Sequence, residues 1–291
     1  MNKLMKRIEF YFLILIIFTF SCKKYERNTN SNKTIQVPAE VASIQEAIDM
    51  SNDFDTILVS NGQYNENLSF NGKRIYLTSL YYRTLDTLDI SYTILKGKKG
   101  SVVRFQNHED TTAVLDGFVI TGGLPDAYLY LEGGGIYIKA ANPTLKNLII
   151  EHNSIFFPNE QGAGGGIYCD SGSINATNLK IRSNRCGASR GGGGIYAKNS
   201  NVFLYNCEIS NNSTSLFGYC EGVYFTAINF LIKNSKIENN TQLNIWRNNS
   251  GAVGIYNSAG SFVNTIINDS LKFSNNNINY NNCIINGVFR P

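Results

Sequence analysis

Gly133-Gly134-Gly135-Ile136-Tyr137, followed by Asn147-Leu148-Ile149-Ile150-Glu151-His152-Asn153, is the stretch on which the fold turns. The same frame recurs. Gly-Ile-Tyr or Gly-Val-Tyr stands at Gly135, Gly166, Gly194, Gly222 and Gly254, in steps of 31, 28, 28 and 32 residues. Twelve residues after each of the first four glycines comes an Asn (Asn147, Asn178, Asn206, Asn234). An Ile follows three later (Ile150, Ile181, Ile209, Ile237), and a second Asn three after that (Asn153, Asn184, Asn212, Asn240). The fifth copy is shorter by two but keeps Asn264 and Ile267. Length varies between the second Asn and the next Gly, so that stretch is the loop of each repeat.

Inside a repeat the period is two. Ile136 and Ile138, like Ile167 and Cys169, are apolar and face inward, so the Tyr between them faces outward. Apolar residues lie two before and one after the first Asn, as Leu145 and Leu148 do around Asn147. Two inward residues flanking one position require a bend there, and Asn enters the left-handed region cheaply. Short strands, sharp bends and a period near 30 describe the coils of an all-β solenoid, a single-stranded right-handed parallel β-helix. A leucine-rich frame is missing, and a propeller blade needs about 40 residues. Stacking then sets opposite charges side by side: Lys139, Asp170 and Lys198; Lys180, Glu208 and Lys236; Glu151 and Arg182.

Outward from the array, Ser43 with Glu46 forms a capping box for a short helix over 43–50, a lid on the first coil. Residues 79–110 are less periodic and imply excursions from the coil. The clear repeats run over 132–291 within a β-helix domain spanning 34–291. After Ile285 six residues remain, which is short for a lid on the last coil and fits either a truncated relative of a longer protein or an edge-to-edge dimer; the oligomeric state stays open.

The first residues differ in kind. Lys3, Lys6 and Arg7 precede an apolar run, Phe10 to Phe20, that ends at Ser21-Cys22. This is the layout of an export signal, too short to span a bilayer as a helix. Thr19-Phe20-Ser21-Cys22 resembles a bacterial lipoprotein signal. That resemblance implies a signal peptide over 1–21, lipid on Cys22, attachment to the outer membrane of a Gram-negative cell on its periplasmic or surface side, and a tether over 22–33. Without the leader the formal charge falls from +4 to about +2. Charged residues are 16% of the chain, against about 25% in ordinary domains. Neither disorder nor nucleic-acid binding fits that balance.

IQEAID with DTILVSNGQYNENL, residues 44–49 and 55–68, resembles the opening of right-handed β-helix proteins of the pectin-lyase-like superfamily. The GGGIY and Ile-x-x-Asn units resemble the repeats of chlamydial polymorphic outer-membrane proteins. The superfamily's enzymes act on polysaccharides, but their motifs do not carry over. The Gln-Asp and Asp-Phe-Ile-Phe-Gly segments of pectinesterases are absent, as are the paired Asp and Gly-His-Gly of polygalacturonase-like hydrolases. Hydrolysis needs two carboxylates about 5–9 Å apart, and no acid pair occupies equivalent outward positions of adjacent repeats. The trio Asp170, Lys139 and Lys198 is the nearest imitation of a lyase centre, and an ion-pair row already accounts for it. Its single carboxylate is a poor Ca²⁺ site, so Ca²⁺ is expected only if the chain is a lyase; no other cofactor is. His108 and His152 stand alone, which argues against zinc. Cys169 and Cys207 fall in inward slots, and Cys186 and Cys220 lie in successive loops within reach of a disulfide.

The remaining feature is the row Tyr137, Tyr168, Tyr196, Tyr224 and Tyr256. It reads either as an aromatic ladder that steadies the stack or as a platform for an extended glycan or a surface protein. The sequence thus leads to a lipid-anchored, non-catalytic binding or adhesin-like module. A polysaccharide lyase, hydrolase or esterase and a purely structural envelope protein are the alternatives.

Overall fold

The computed structural model describes residues 32–124, 133–155, 162–187, 191–214, 220–242 and 251–290. The expectations for residues 1–21, Cys22 and the tether as far as Ser31 fall outside that set. From Asn32 onward the chain forms one compact unit.

A full coil visits four sheets in turn, as in Ile136–Lys139, Thr144–Lys146, Ile149–Glu151 and Ser154–Ile155, and the coils at either end lack the fourth. We call these sheets II, I, III and IV. Among the described residues sheets I and III have ten strands, sheet II eight and sheet IV four, stacked in chain order and parallel except for the last strand of sheet III, Val288–Arg290, which folds back antiparallel on Cys283–Ile285. The fold is a right-handed parallel β-helix. The charge rows are in register as expected: Lys139 pairs with Asp170 and Asp170 with Lys198, and Lys180 pairs with Glu208 and Glu208 with Lys236. One apolar column fills the bore, from Ile35 to Cys283.

The fifth repeat departs from the simple frame. Tyr224 pairs with Gly254, and Tyr256 pairs with Thr226. The strand has slipped by two residues, which keeps Ile255 inward and Tyr256 outward because the side-chain period is two.

The first Asn of each repeat makes the bend predicted for it. Asn147, Asn178, Asn206, Asn234, Asn264 and Asn282 all have φ between +48° and +58°. Their side chains form an exposed ladder in two runs. Asn147 Nδ2 donates to Asp116 Oδ1 (2.7 Å), Asn178 Nδ2 to Asn147 Oδ1 (2.9 Å) and Asn206 Nδ2 to Asn178 Oδ1 (2.6 Å). Asn264 donates to Asn234 (3.0 Å) and Asn282 to Asn264 (2.8 Å).

The second Asn has a different task. Asn153, Asn184, Asn212 and Asn240 are buried, one position after a left-handed corner residue. Asn184 Oδ1 accepts from both the backbone N–H (3.1 Å) and Nδ2 (3.0 Å) of Asn153. Asn212 does the same for Asn184, and Asn240 for Asn212, at 3.0 Å throughout. The ladder ends on a carboxylate: Asp269 Oδ2 accepts from Asn240 N (3.2 Å) and Nδ2 (2.7 Å).

Burial raises the Asp269 carboxyl above its ordinary value, against the opposing hydrogen bonds from Asn240. The folded chain therefore holds this proton more tightly than the unfolded chain. Stability from this group falls as pH rises through the ordinary aspartate value towards the raised one, and is level above it. Asp269→Asn is expected to remove that slope and to make the protein more stable near neutral pH. Urea midpoints of the two proteins should converge as pH falls below the ordinary aspartate value, where the carboxyl carries its proton in both the folded and the unfolded chain.

The N-terminal lid is helix α1, Ile44–Met50, with Ile44, Ala47 and Ile48 turned into the bore. Ser43 caps it by accepting from Glu46 N (3.2 Å). The next coil supplies the rest of the cap: the Glu66 carboxylate accepts from Ile44 N (3.1 Å) and Gln45 N (3.0 Å). The Gln45 amide in turn mimics a neighbouring strand. Its Oε1 accepts from Ser69 N (2.8 Å) and its Nε2 donates to Ser69 O (3.2 Å). The excursions expected over 79–110 include two short helices, α2 (Tyr81–Thr84) and α3 (Thr87–Tyr92). They are inserted between a sheet I strand and a sheet III strand, at the corner where later coils use a single Asn.

Candidate functional site

The tyrosine row lies on the outer side of sheet II, as its period requires. Its rings form the expected ladder. Tyr137, Tyr168, Tyr196 and Tyr224 stack with centroids 5.1–5.5 Å apart and planes within 5°. Arg104 covers the N-terminal end, 4.5 Å from the Tyr137 centroid. Tyr256 is tilted by 31°, in keeping with the slipped strand.

The expectation of an open five-ring face needs correction. Tyr137 is 5%, Tyr168 0% and Tyr196 6% exposed, and Ala163 packs into their cluster. Only Tyr224 and Tyr256 are half-buried. The glycine run before each Tyr causes part of this. Gly133, Gly164 and Gly192 have φ of +68°, +73° and +71°, and fold back so tightly that a Cβ would stand 2.9 Å from an atom of the following Tyr. The row is a second, smaller core outside the bore.

The charged trio is likewise tied into structure. Asp170 Oδ2 pairs with Lys198 Nζ at 3.0 Å, and Asp170 Oδ1 accepts from Ser171 Oγ at 2.9 Å. Lys139 is in register with Asp170 but makes no ion pair among the described residues. The second row also pairs differently from its register. Lys236 turns along its own strand to Glu238 (2.5 Å), Glu208 accepts from Ser210 Oγ (2.9 Å), and Lys180 has no acidic partner among the described residues. Arg182 and Glu151 pair as expected, at 2.8 Å.

Cys169 and Cys207 are buried, and burial pushes their thiols up to about 12 and about 11, so neither is a thiolate nucleophile. Cys186 is buried against Ile155. The side chain of Cys220 lies outside the described residues, and with it the suggested disulfide. His152 is an exposed corner residue at φ +54°. Among the described residues no three His, Cys, Asp or Glu side chains are gathered to hold a metal ion.

A groove that the repeat pattern did not reveal follows the exposed Asn ladder along the solenoid axis. Its longer section encloses about 500 Å³ beside Asn178, Asn206, Asn234, Lys180, Glu208 and Lys236. A second section of about 310 Å³ shares Asn178 and Lys180 and lies beneath α2 and α3, against Tyr81, Leu88 and Ile90. Of the described lining residues only Glu208 is a carboxylate. The groove escapes a sequence reading because its wall and floor are about 60 to 180 residues apart. The broken periodicity of residues 79–110 was its one visible trace.

Several solved structures are similar to this chain. A pectin methylesterase from Aspergillus niger is 13% identical with a TM-score of 0.49, covering 89% of this chain and 86% of its own. A pectin methylesterase in complex with a hexasaccharide is 10% identical with a TM-score of 0.45, covering 79% of each chain. An alginate lyase from Paenibacillus is 10% identical with a TM-score of 0.30, covering 86% of this chain and 98% of its own. At such identities the likeness is one of fold alone. No protein-family model matches the chain, and no curated protein matches it.

Proposed function

We propose that the protein is an exported, lipid-anchored β-helix of the cell envelope that binds glycan without cleaving it. The observation that carries this reading is the axial groove, polar along its floor and bearing one carboxylate. The acid–base pair of a glycosidase needs two. Amides, two lysines and a carboxylate beside apolar side chains suit a polyhydroxylated chain. The export signal and Cys22 suit an envelope location.

Two measurements test this. Cys22→Ala should move the protein from the membrane to the soluble fraction of the cell, and unchanged fractionation rejects the anchor. The purified full chain in detergent should bind immobilised polysaccharides and release no reducing ends, unsaturated uronides or methanol from them. Turnover abolished by a single acid-to-amide change would make the chain an enzyme.

A further inference from the structure

We propose that the axial groove holds a linear, uncharged glycan whose chain end is seated beneath α2 and α3. This rests on the glycan-binding reading and adds the site, the ligand class and the polarity of binding.

The site is built at both ends. The brim is pinned to the body of the solenoid. Asp86 caps α3 by accepting from Leu88 N (2.9 Å), and Asp89 accepts from Asn61 Nδ2 (2.7 Å) and Thr84 Oγ1 (2.5 Å). Thr93 Oγ1 closes the same turn by donating to Asp89 O (2.7 Å). A brim fixed in this way holds Leu88 54% exposed over the groove, with Tyr81 and Ile90 beside it. Together they offer an apolar wall for one face of a sugar ring. Thr87, Ser91 and Asn178 supply hydroxyl and amide groups around it. The section of about 310 Å³ lies at the small end of the range for ligand pockets.

Beyond the brim the floor repeats with the coils, at ~4.8 Å per rung. A primary amide has two N–H donors and two lone pairs. The ladder uses one donor and one acceptor on Asn178, which lines both sections, so one of each is left for a ligand. The result is a row of neutral hydrogen-bonding groups in line with the solenoid axis, suited to a polymer whose hydroxyls also repeat.

Charge decides the ligand class. Lys180 and Lys236 stand on the row with Glu208 between them, and Glu238 already neutralises Lys236. A polyanion would meet Glu208 for each free cation it gained. Hydroxyl groups can accept from Lys180 and donate to Glu208 without that conflict.

Calorimetric titration of the full chain in detergent with neutral hexasaccharides (xylo-, cello- and mannohexaose) and with hexagalacturonate provides the test. At least one neutral hexamer should bind. Lys180→Ala and Leu88→Ser should each weaken it about tenfold or more, with Tyr224→Ser within about twofold of native. Blocking one end of the sugar should weaken binding to a similar degree. Circular dichroism melts confirm that each variant is folded. Binding lost in Tyr224→Ser but kept in both groove variants would overturn the site and leave the glycan-binding reading standing. Tighter binding of hexagalacturonate would overturn the ligand class, and equal binding of end-blocked sugars the seated end. Binding of extended peptides and of no saccharide would overturn both readings.

Discussion

Replacing Asn212 by Leu is expected to lower the stability of the protein by about 4 kcal/mol, although the side chains are of similar size. Asn212 sits in the middle of the buried ladder at 0% exposure. Its Oδ1 accepts from Asn184 N and Asn184 Nδ2, each at 3.0 Å, and its Nδ2 donates to Ile181 O at 2.8 Å and to Asn240 Oδ1 at 3.0 Å. Leucine leaves all four bonds unmade in the interior. An orphaned buried polar group costs about 1–3 kcal/mol, so losing four bonds, with the Asn184 N–H left without its acceptor, exceeds what the added apolar contact returns. The exposed ladder provides the contrast. Asn206 has φ +54°, and glycine adopts that conformation without strain. Asn206→Gly should therefore cost under about 1 kcal/mol, chiefly the exposed side-chain bonds. Urea denaturation of the two variants, with hydrogen exchange of the coils on either side, measures the difference. Equal losses would mean that the buried amides are not what couples the coils.

The sequence-level frame explains why one Asn row could be recognised as a bend and the other could not be recognised as a ladder. Around Asn147 the alternation of inward residues breaks in a way that only a bend restores. Around Asn153 there is no such break, because the corner residue before it is His152, Ser183, Asn211 or Asn239 in successive coils. The corner after each sheet II strand is equally mixed, with Ala140, Ser171, Asn199, Ala227 and Asn257 all at positive φ. For Ala and Ser that conformation costs roughly 1–2 kcal/mol, so composition gives no warning of it; stacking against adjacent coils holds it in place. The tyrosines show a related limit. Alternation fixes which side of a strand a ring leaves, but burial depends on what the turn before it does. The glycines that press back on Tyr137, Tyr168 and Tyr196 turned an expected surface into interior. Ion pairing was the least legible. Register placed Glu208 beside Lys236, yet Glu238, two residues along the same strand, holds that lysine instead.

The glycine that opens each repeat leads to the second large effect. Gly135, Gly166 and Gly194 stack in successive coils, and each would place a Cβ 2.6–2.7 Å from the carbonyl oxygen of the glycine in the next coil. The same Cβ would lie 3.0–3.1 Å from Nδ2 of Asn153, Asn184 or Asn212. The two halves of the sequence motif therefore meet in space: the glycine is small because the ladder asparagine of its own coil fills the adjacent volume. Gly166→Ala should cost about 3 kcal/mol, at the upper end for overpacking. The Gly194 carbonyl it strikes is fixed by the hydrogen bond from Ile167 N (2.8 Å), and Asn184 Nδ2 by its bonds to Ile150 O and Asn212 Oδ1. Relief of the clash must stretch one of these sets and open the contact between two coils, the coupling that holds a solenoid together. Gly100→Ala is the comparison, since nothing lies within 4 Å of its Cβ position and only its φ of +92° opposes a side chain. That variant should lose about 1 kcal/mol. A Gly166→Ala protein as stable as Gly100→Ala in urea would show that the coils can part at this glycine without loss, and that contact between the glycine column and the amide ladder does not set their spacing.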